Sequence, residues 1–481
     1  MSILSKTISK VEKQTKTIIR RTADRHIRLA VTGLSGAGKT AFITGLVNQL
    51  LRSGHTFKEQ SLPLWHVARE QRLLGVERQL QPDLEIASFD YQGGINSLTA
   101  SPNHWPASTR NISEIRLAIH FQPKSGVLSK FTDRSTLILD IVDYPGEWLL
   151  DLPLLKTDYQ TWSFEQLQNK HKFEQSTCYT AFLSSLNQLD LTEKADNEEI
   201  ARIAELYRSA LLDLVNNKGF YLAQPGRMLL PGDLDGSPLV NWFPLLHLTA
   251  EQWAQFTSET DDNSYFKVLA HRFNSYKEKV VKPFYRNHFS KFDRQIVLVD
   301  SLTALNNGQA QFNDMASALS NILSSFQFGD SNILRRLFAP RIDKLLFAAS
   351  KVDHITRDQQ TNLLYLLNDM LQESRQFASI KGCDVETMAI SAIKATKHGL
   401  VTHQGKLIEA VFGQKNTDRS DITLYPGDVP KALPKKDFWQ KQGFNFVNFA
   451  PPESLQGEVK PMLEHIRLDH LLQFLLGDKL D

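Results

Sequence analysis

The eight residues Gly33-Leu34-Ser35-Gly36-Ala37-Gly38-Lys39-Thr40 constrain this chain more than any other stretch. They fit G-x-x-x-x-G-K-[ST], a turn whose backbone N–H groups curl around an anion where Cβ atoms would obstruct them. Such a turn works only between a strand and a helix. His26 to Thr32 reads as a buried strand. Thr40 to Arg52 places Phe42, Ile43, Leu46, Val47, Leu50 and Leu51 on one helical stripe. Ser35, Gly36, Ala37, Gly38, Lys39, Thr40 and Ala41 are therefore candidates to cradle phosphate. The helix N-terminus adds its positive dipole end, Lys39 reaches the β- and γ-phosphates, and the Thr40 hydroxyl holds Mg²⁺.

A phosphate loop alone does not name the nucleotide. Mg²⁺ needs an acidic residue at a strand end, and D-x-x-G supplies one together with a glycine N–H for a γ-phosphate. Three matches exist: Asp90 to Gly93, Asp143 to Gly146 and Asp233 to Gly236. Only Asp143 ends a β-branched, apolar run, Thr136 to Val142, so Asp143 and Gly146 are chosen. Guanine presents N1–H and N2–H₂ side by side to a carboxylate, whereas adenine presents an acceptor. The pattern [NTS]-K-x-D occurs as Ser290 to Asp293, with no strand before it, and as Ser350-Lys351-Val352-Asp353 after the apolar Lys344 to Ala349. The second is chosen. Asp353 would read the base, the Lys351 stem would cover it, and His354 lies in the same turn. Ser350 replaces the usual Asn or Thr and weakens the brace to the phosphate loop. The strand Glu386 to Ile390 leads into Ser391-Ala392-Ile393, whose backbone can reach guanine O6. A switch threonine that ligates Mg²⁺ belongs just before the alternating strand Ser113 to Phe121. Thr109 is chosen there, Ser108 is second, and Trp105 and Arg110 are expected to touch nucleotide from the same loop.

The 481 residues suffice for two or three domain-sized units, and 41% hydrophobic content supports a large core. A net charge of +2 points to no acidic partner in bulk, and no basic stripe for nucleic acid lies outside the N-terminus. Two cysteines, Cys178 and Cys383, make no disulfide framework and fit a reducing compartment. No run reaches membrane-span length and no leader segment is evident, so a cytoplasmic location is expected. Residues 1–25 read as a basic amphipathic helix. It either packs on the domain with its lysines solvated or lies peripherally on anionic inner-membrane lipid. Scattered histidines such as His104 and His120 read as structural.

The order phosphate loop, switch loop, D-x-x-G, S-K-x-D, S-A-x is the order found in GTPases. Val31 to Thr40, Gln224 to Asp233 (QPGRMLLPGD), Tyr276 to Phe284 (YKEKVVKPF) and Asp293 to Asp300 extend the likeness. On these stretches the chain resembles the YcjX-like family of P-loop GTPases, stress-associated bacterial proteins, over nearly its whole length. The resemblance implies a cytoplasmic switch binding GTP or GDP, often encoded beside an integral membrane partner. The expected architecture is α/β: a mostly parallel P-loop sheet flanked by helices, with a large inserted helical domain. Residues 26–150 and 294–401 would form the nucleotide domain, 151–293 the insertion, and 402–481 an extension packed on the core. Asn197 to Val215 carries one apolar face, as does Pro461 to Leu476; Leu424 to Gly427 and Phe444 to Val447 read as strands or hairpin arms. The insertion follows the γ-phosphate sensor, so it acts as a lever or as passive decoration. Arg335 and Arg336, in a helical excursion over Ala316 to Leu337, read as a surface pair rather than as a catalytic finger.

Mg²⁺ would then be held by Thr40, Thr109 and, through water, Asp143. Lys39, Thr109, Gly146 and Glu147 would surround the reacting phosphate. Many small GTPases place a Gln at the position of Glu147 to orient the attacking water. An ionised carboxylate cannot donate a hydrogen bond, so slow turnover is expected, raised by a partner or by self-association. The competing readings are an ATPase or P-loop kinase, and a scaffold that holds GDP without hydrolysis.

Overall fold

The computed structural model describes residues 25–53, 62–124, 134–325, 342–380, 383–441 and 444–480. The N-terminal segment and the Arg335-Arg336 pair lie outside the described residues. Eight strands form one sheet: β1 (Arg25–Gly33), β2 (Leu73–Gln79), β3 (Ala87–Ser88), β4 (Ser113–Phe121), β5 (Ser135–Asp143), β6 (Arg294–Val299), β7 (Lys344–Ala349) and β8 (Asp384–Ala389). The order is β2-β4-β5-β1-β6-β7-β8, with β3 beside β4. From β5 to β8 all neighbours are parallel, whereas β4 runs antiparallel to both β5 and β2.

Strand sequences explain this arrangement. Along β1, Ile27, Leu29 and Val31 enter the core on one face, and Ala30 enters the core on the other. Along β6, Ile296 and Leu298 face one way, Val297 and Val299 the other. A sheet buried on both faces needs apolar residues at every position, which a parallel sheet covered by helices satisfies. One face is covered by the helices Lys39–Arg52 and Leu468–Leu480. The latter is pinned where Arg294, 1% exposed, meets Asp478 at 2.6 Å and Asp343 at 3.2 Å.

The opposite face is covered by the segment between β5 and β6, which contains helices, including Asn197–Asn216, and among its described residues no strand. Aromatic side chains join it to the sheet: Tyr144, fully buried, stacks on Phe292 at 5.6 Å and accepts a 2.7 Å hydrogen bond from Gln295. Asp151 is the polar centre of this junction. It accepts from Gly226 N–H at 2.7 Å, Arg227 N–H at 3.1 Å and Tyr276 O–H at 2.5 Å. Burial pushes its carboxyl up to about 6, against those three donors.

The C-terminal part departs from the sequence expectation. A three-stranded antiparallel sheet, β9 (Lys397–His403), β10 (Lys406–Gln414) and β11 (Asp421–Leu424), spans the expected boundary at 401/402. Phe444 to Val447 is irregular, and β11 ends before Pro426. The last helix begins at Leu468, not Pro461, because the chain before Ile466 is irregular and Ile466 bridges to Ser391. Among the described residues no helix is long and apolar enough to cross a membrane.

The insertion touches the segment after β5 so closely that a Cβ on Gly226 would stand 1.9 Å from the Glu147 carbonyl oxygen. Gly226→Ala is expected to cost about 2–4 kcal/mol in urea unfolding. Gly75→Ala, with nothing within 4 Å of the added methyl, is expected to cost less than about 0.5 kcal/mol.

Candidate functional site

The carboxyl ends of β1, β5, β6, β7 and β8 meet at one sheet edge, and a cavity of about 330 Å³ opens there. Its phosphate end is the turn after β1. Gly36 and Gly38 adopt φ of 77° and 80°, the left-handed region that L-residues with Cβ avoid. Gly38 then caps the helix Lys39–Arg52, whose first N–H groups face the cavity without a side-chain cap. Lys39 donates to the Gly33 carbonyl at 3.0 Å, folding over its own loop. Gly146 packs against the same carbonyl; a Cβ on Gly146 would stand 2.3 Å from it. Position 146 must therefore be glycine, and the D-x-x-G turn touches the phosphate loop backbone to backbone.

Three side chains gather beside the glycine turn. Thr40 Oγ1 and Thr109 Oγ1 are 3.1 Å apart, and the Thr109 hydroxyl donates to Asp143 Oδ2. Asp143 is 1% exposed and its Oδ1 is buried without a hydrogen-bond partner. Burial pushes its carboxyl up to about 6, opposed by Lys39 and the Thr109 hydroxyl. Two hydroxyls and a buried carboxylate with an unmet oxygen form an all-oxygen donor set, which fits Mg²⁺. Among the described residues no group of three His, Cys, Asp or Glu offers a softer metal site.

The opposite end of the cavity is formed by the turns after β7 and β8. Lys351 sits at φ 60° and its ammonium meets Asp300 at 2.5 Å. Asp300 was not singled out from the sequence. It ends β6, is 3% exposed, and also caps the helix Ser301–Asn307 through Thr303 N–H at 3.1 Å. Burial opposes its ionisation, but Lys351 and Thr303 hold its carboxyl below the usual range. Asp353 Oδ2 accepts from Ala395 N–H at 2.7 Å, which fixes the carboxylate plane. Burial lowers the His354 imidazole.

Gly36 through Ala41, Trp105, Ser108, Thr109, Lys351, Asp353, His354 and Ser391 to Ile393 all line the cavity. Ser35, Arg110, Asp143, Gly146 and Glu147 do not; Asp143 lies behind the wall and reaches it through the Thr109 hydroxyl. Arg110 is exposed to solvent. Glu147 is 6% exposed, lies beneath the insertion at Gly226, and has Oε2 buried without a hydrogen-bond partner. The rejected D-x-x-G matches have other work: Asp90 caps the helix Tyr91–Thr99, and Asp233 pairs with Arg227 at 2.8 Å. Asp293 of the rejected S-K-x-D accepts from Arg28 N–H at 2.8 Å, before β6 rather than after it. Asn416, Asn448 and Phe449 line the cavity from the C-terminal part, and no sequence pattern announced them.

The sequence model described as "YcjX-like family, DUF463" matches residues 27–480. A protein of Shewanella oneidensis named Ras-like GTPase YcjX is 57% identical over 488 aligned positions, covering 100% of both chains. Its Escherichia coli namesake is 44% identical over 476 positions, covering 98% of this chain and 100% of that one. A match of this extent, on a chain whose phosphate turn and sheet edge are built as described, means that the chain belongs to the YcjX-like family.

Proposed function

We propose that the chain binds GTP and GDP with Mg²⁺, hydrolyses GTP slowly, and acts as a nucleotide-dependent switch. The observation that carries this reading is the placement of Asp353. Its carboxylate is held by Ala395 N–H at 2.7 Å inside the cavity whose far end is the glycine turn. A fixed carboxylate accepts from guanine N1–H and N2–H₂ and repels adenine N1. The names of the two relatives support the same nucleotide.

The loop N–H groups after Gly36 and the Lys39 ammonium would bind the β- and γ-oxygens, replacing the internal contact of Lys39 with Gly33. Thr40, Thr109 and Asp143 would hold Mg²⁺, which when bound neutralises charge on the phosphate oxygens. Gly146 N–H would meet the γ-phosphate, so its loss would be felt directly by the insertion packed on Glu147. Glu147 would orient water poorly, since an ionised carboxylate accepts hydrogen bonds and repels the triphosphate. That is the reason for proposing a low rate, with activation left to a partner or to self-association. A stress-response role enters this proposal through family resemblance, and a position at the inner membrane through the basic amphipathic pattern of residues 1–25.

Three outcomes are expected. Asp353→Asn lowers GDP affinity by roughly 30-fold or more, by titration calorimetry, and shifts preference toward xanthosine diphosphate, whose C2 carbonyl suits an amide donor. A native preference for ADP would overturn the reading. Glu147→Gln raises single-turnover GTP hydrolysis by about tenfold, with Lys39→Ala as the inactive control; an unchanged rate would make Glu147 a bystander. Finally, proton and cation compete for Asp143, whose carboxyl burial pushes up to about 6. Apparent Mg²⁺ affinity therefore falls as pH drops below about 6, approaching tenfold per pH unit, and is flat above about 7. Asp143→Asn removes that slope.

A further inference from the structure

The base end of the cavity is closed by a segment remote in sequence from every nucleotide motif. Phe449 lines the cavity although it is 1% exposed. Its ring meets His354 edge-on, with centroids 5.0 Å apart and planes at 73°. The backbone around it is tightly held. Asn416 N–H donates to Asn448 O at 2.9 Å, and Ala450 N–H donates to Gln414 O at 2.8 Å. Gly413 leaves room for the ring; a Cβ there would stand 2.7 Å from it. Asn448 Oδ1 lies 3.4 Å from the Lys351 ammonium, so the lysine of the S-K-x-D turn sits between Asp300 and Asn448.

The same segment grips the loop that carries Thr109. Trp105 Nε1–H donates to the Phe449 carbonyl at 2.9 Å. Asn103, fully buried, donates to the Pro452 carbonyl at 2.8 Å, and Arg419 Nη1 donates to Asn103 Oδ1 at 3.1 Å. One end of the loop is thus fastened to the base-pocket wall. Its other end, Thr109, is fastened to Thr40 and Asp143. A movement of Thr109 pulls on a loop whose upstream anchor is the residue packed against the base-reading turn.

We infer that Asn448 and Phe449 form a nucleotide-retaining wall over the purine of a bound guanosine di- or triphosphate, and that the Trp105–Phe449 hydrogen bond couples this wall to the seating of Thr109. The inference rests on the guanine-nucleotide reading above. Phe449 acts as a binding residue against the purine and Trp105 as a positioning residue: together they hold the pocket closed and set the order in which switch loop and base are released. Loss of the Phe449 ring opens the pocket beside His354. Loss of the indole N–H leaves the wall in place but frees the loop from it.

The test is release of N-methylanthraniloyl-GDP and of the corresponding non-hydrolysable triphosphate from the full chain, chased with excess unlabelled nucleotide. Phe449→Ala is expected to speed GDP release by about tenfold, the loss of one aromatic contact on a buried ligand. Should that variant not fold, Phe449→Leu keeps most of the buried volume, and a rise of about threefold is expected. Trp105→Phe is expected to speed triphosphate release more than diphosphate release, because only the γ-phosphate state draws on Thr109. A merely structural loosening would speed both equally. Leu400→Ser, at a 67% exposed position on β9 away from the cavity, serves as the control. GDP release within twofold of the native rate in a folded Phe449 variant, or equal acceleration of both nucleotides by Trp105→Phe, overturns the inference. Native protein that binds no guanine nucleotide overturns the underlying reading as well, so the two failures are distinguishable.

Discussion

Parallel hydrogen bonding across β5-β1-β6-β7-β8 is the constraint from which the site follows. Register aligns Val31 with Asp143, Gly33 with Leu298, and Ala349 with both Val299 and Ala389. Parallel neighbours in register bring their carboxyl ends to the same edge. Hence the residues just beyond them, in the glycine turn, at Lys351 and Asp353, and in Ser391 to Ile393, line one cavity, with Asp143 and Asp300 held to its lining residues Thr109 and Lys351, although they are scattered over more than 350 positions. The apolar character of both faces enforces that register, because a slip by one residue would exchange the two cores.

Backbone proximity couples the edge to the rest of the molecule. Gly146 touches Gly33, and the next residue, Glu147, touches Gly226 of the insertion. Asp151, a few residues on, gathers N–H groups of Gly226 and Arg227 and the Tyr276 hydroxyl. Arg227 lies over the Trp148 ring at 3.7 Å. On the other side, a Cβ on Gly232 would stand 2.1 Å from Asn111 Oδ1, next to the loop bearing Thr109. The QPGRMLLPGD stretch therefore touches both the segment after Gly146 and the segment after Thr109. Close backbone contact transmits displacement because packed interiors have little slack.

Much of the nucleotide site was legible because each motif combines a local pattern with a strand end. Asp143 and the S-K-x-D turn at Ser350 were separable from their decoys by the apolar run before them, and the decoys prove to be a helix cap, an ion pair and a contact before β6. The C-terminal sheet was less legible. Strands β9 and β10 alternate weakly, with Leu400 and Leu407 exposed, so periodicity gave no sign of them. The last helix was placed too early because Leu463 and Ile466 fit its apolar spacing, while Leu463 packs with Ile95, Leu98, Ile393 and Leu455 and Ile466 bridges to Ser391.

The sequence alone determined the chemistry available to this chain. A glycine turn between strand and helix, a carboxylate after a β-branched run and a carboxylate in S-K-x-D are local features, decided by residues a few positions apart. Tertiary structure decided what encloses that chemistry. Asp300 beneath Lys351, Phe449 against His354 and Gly226 against Glu147 join residues separated by about 50 to 100 positions, through burial and contact distance. No local pattern encodes such pairs, because the free energy that selects them arises only when the sheet has closed and both faces are covered.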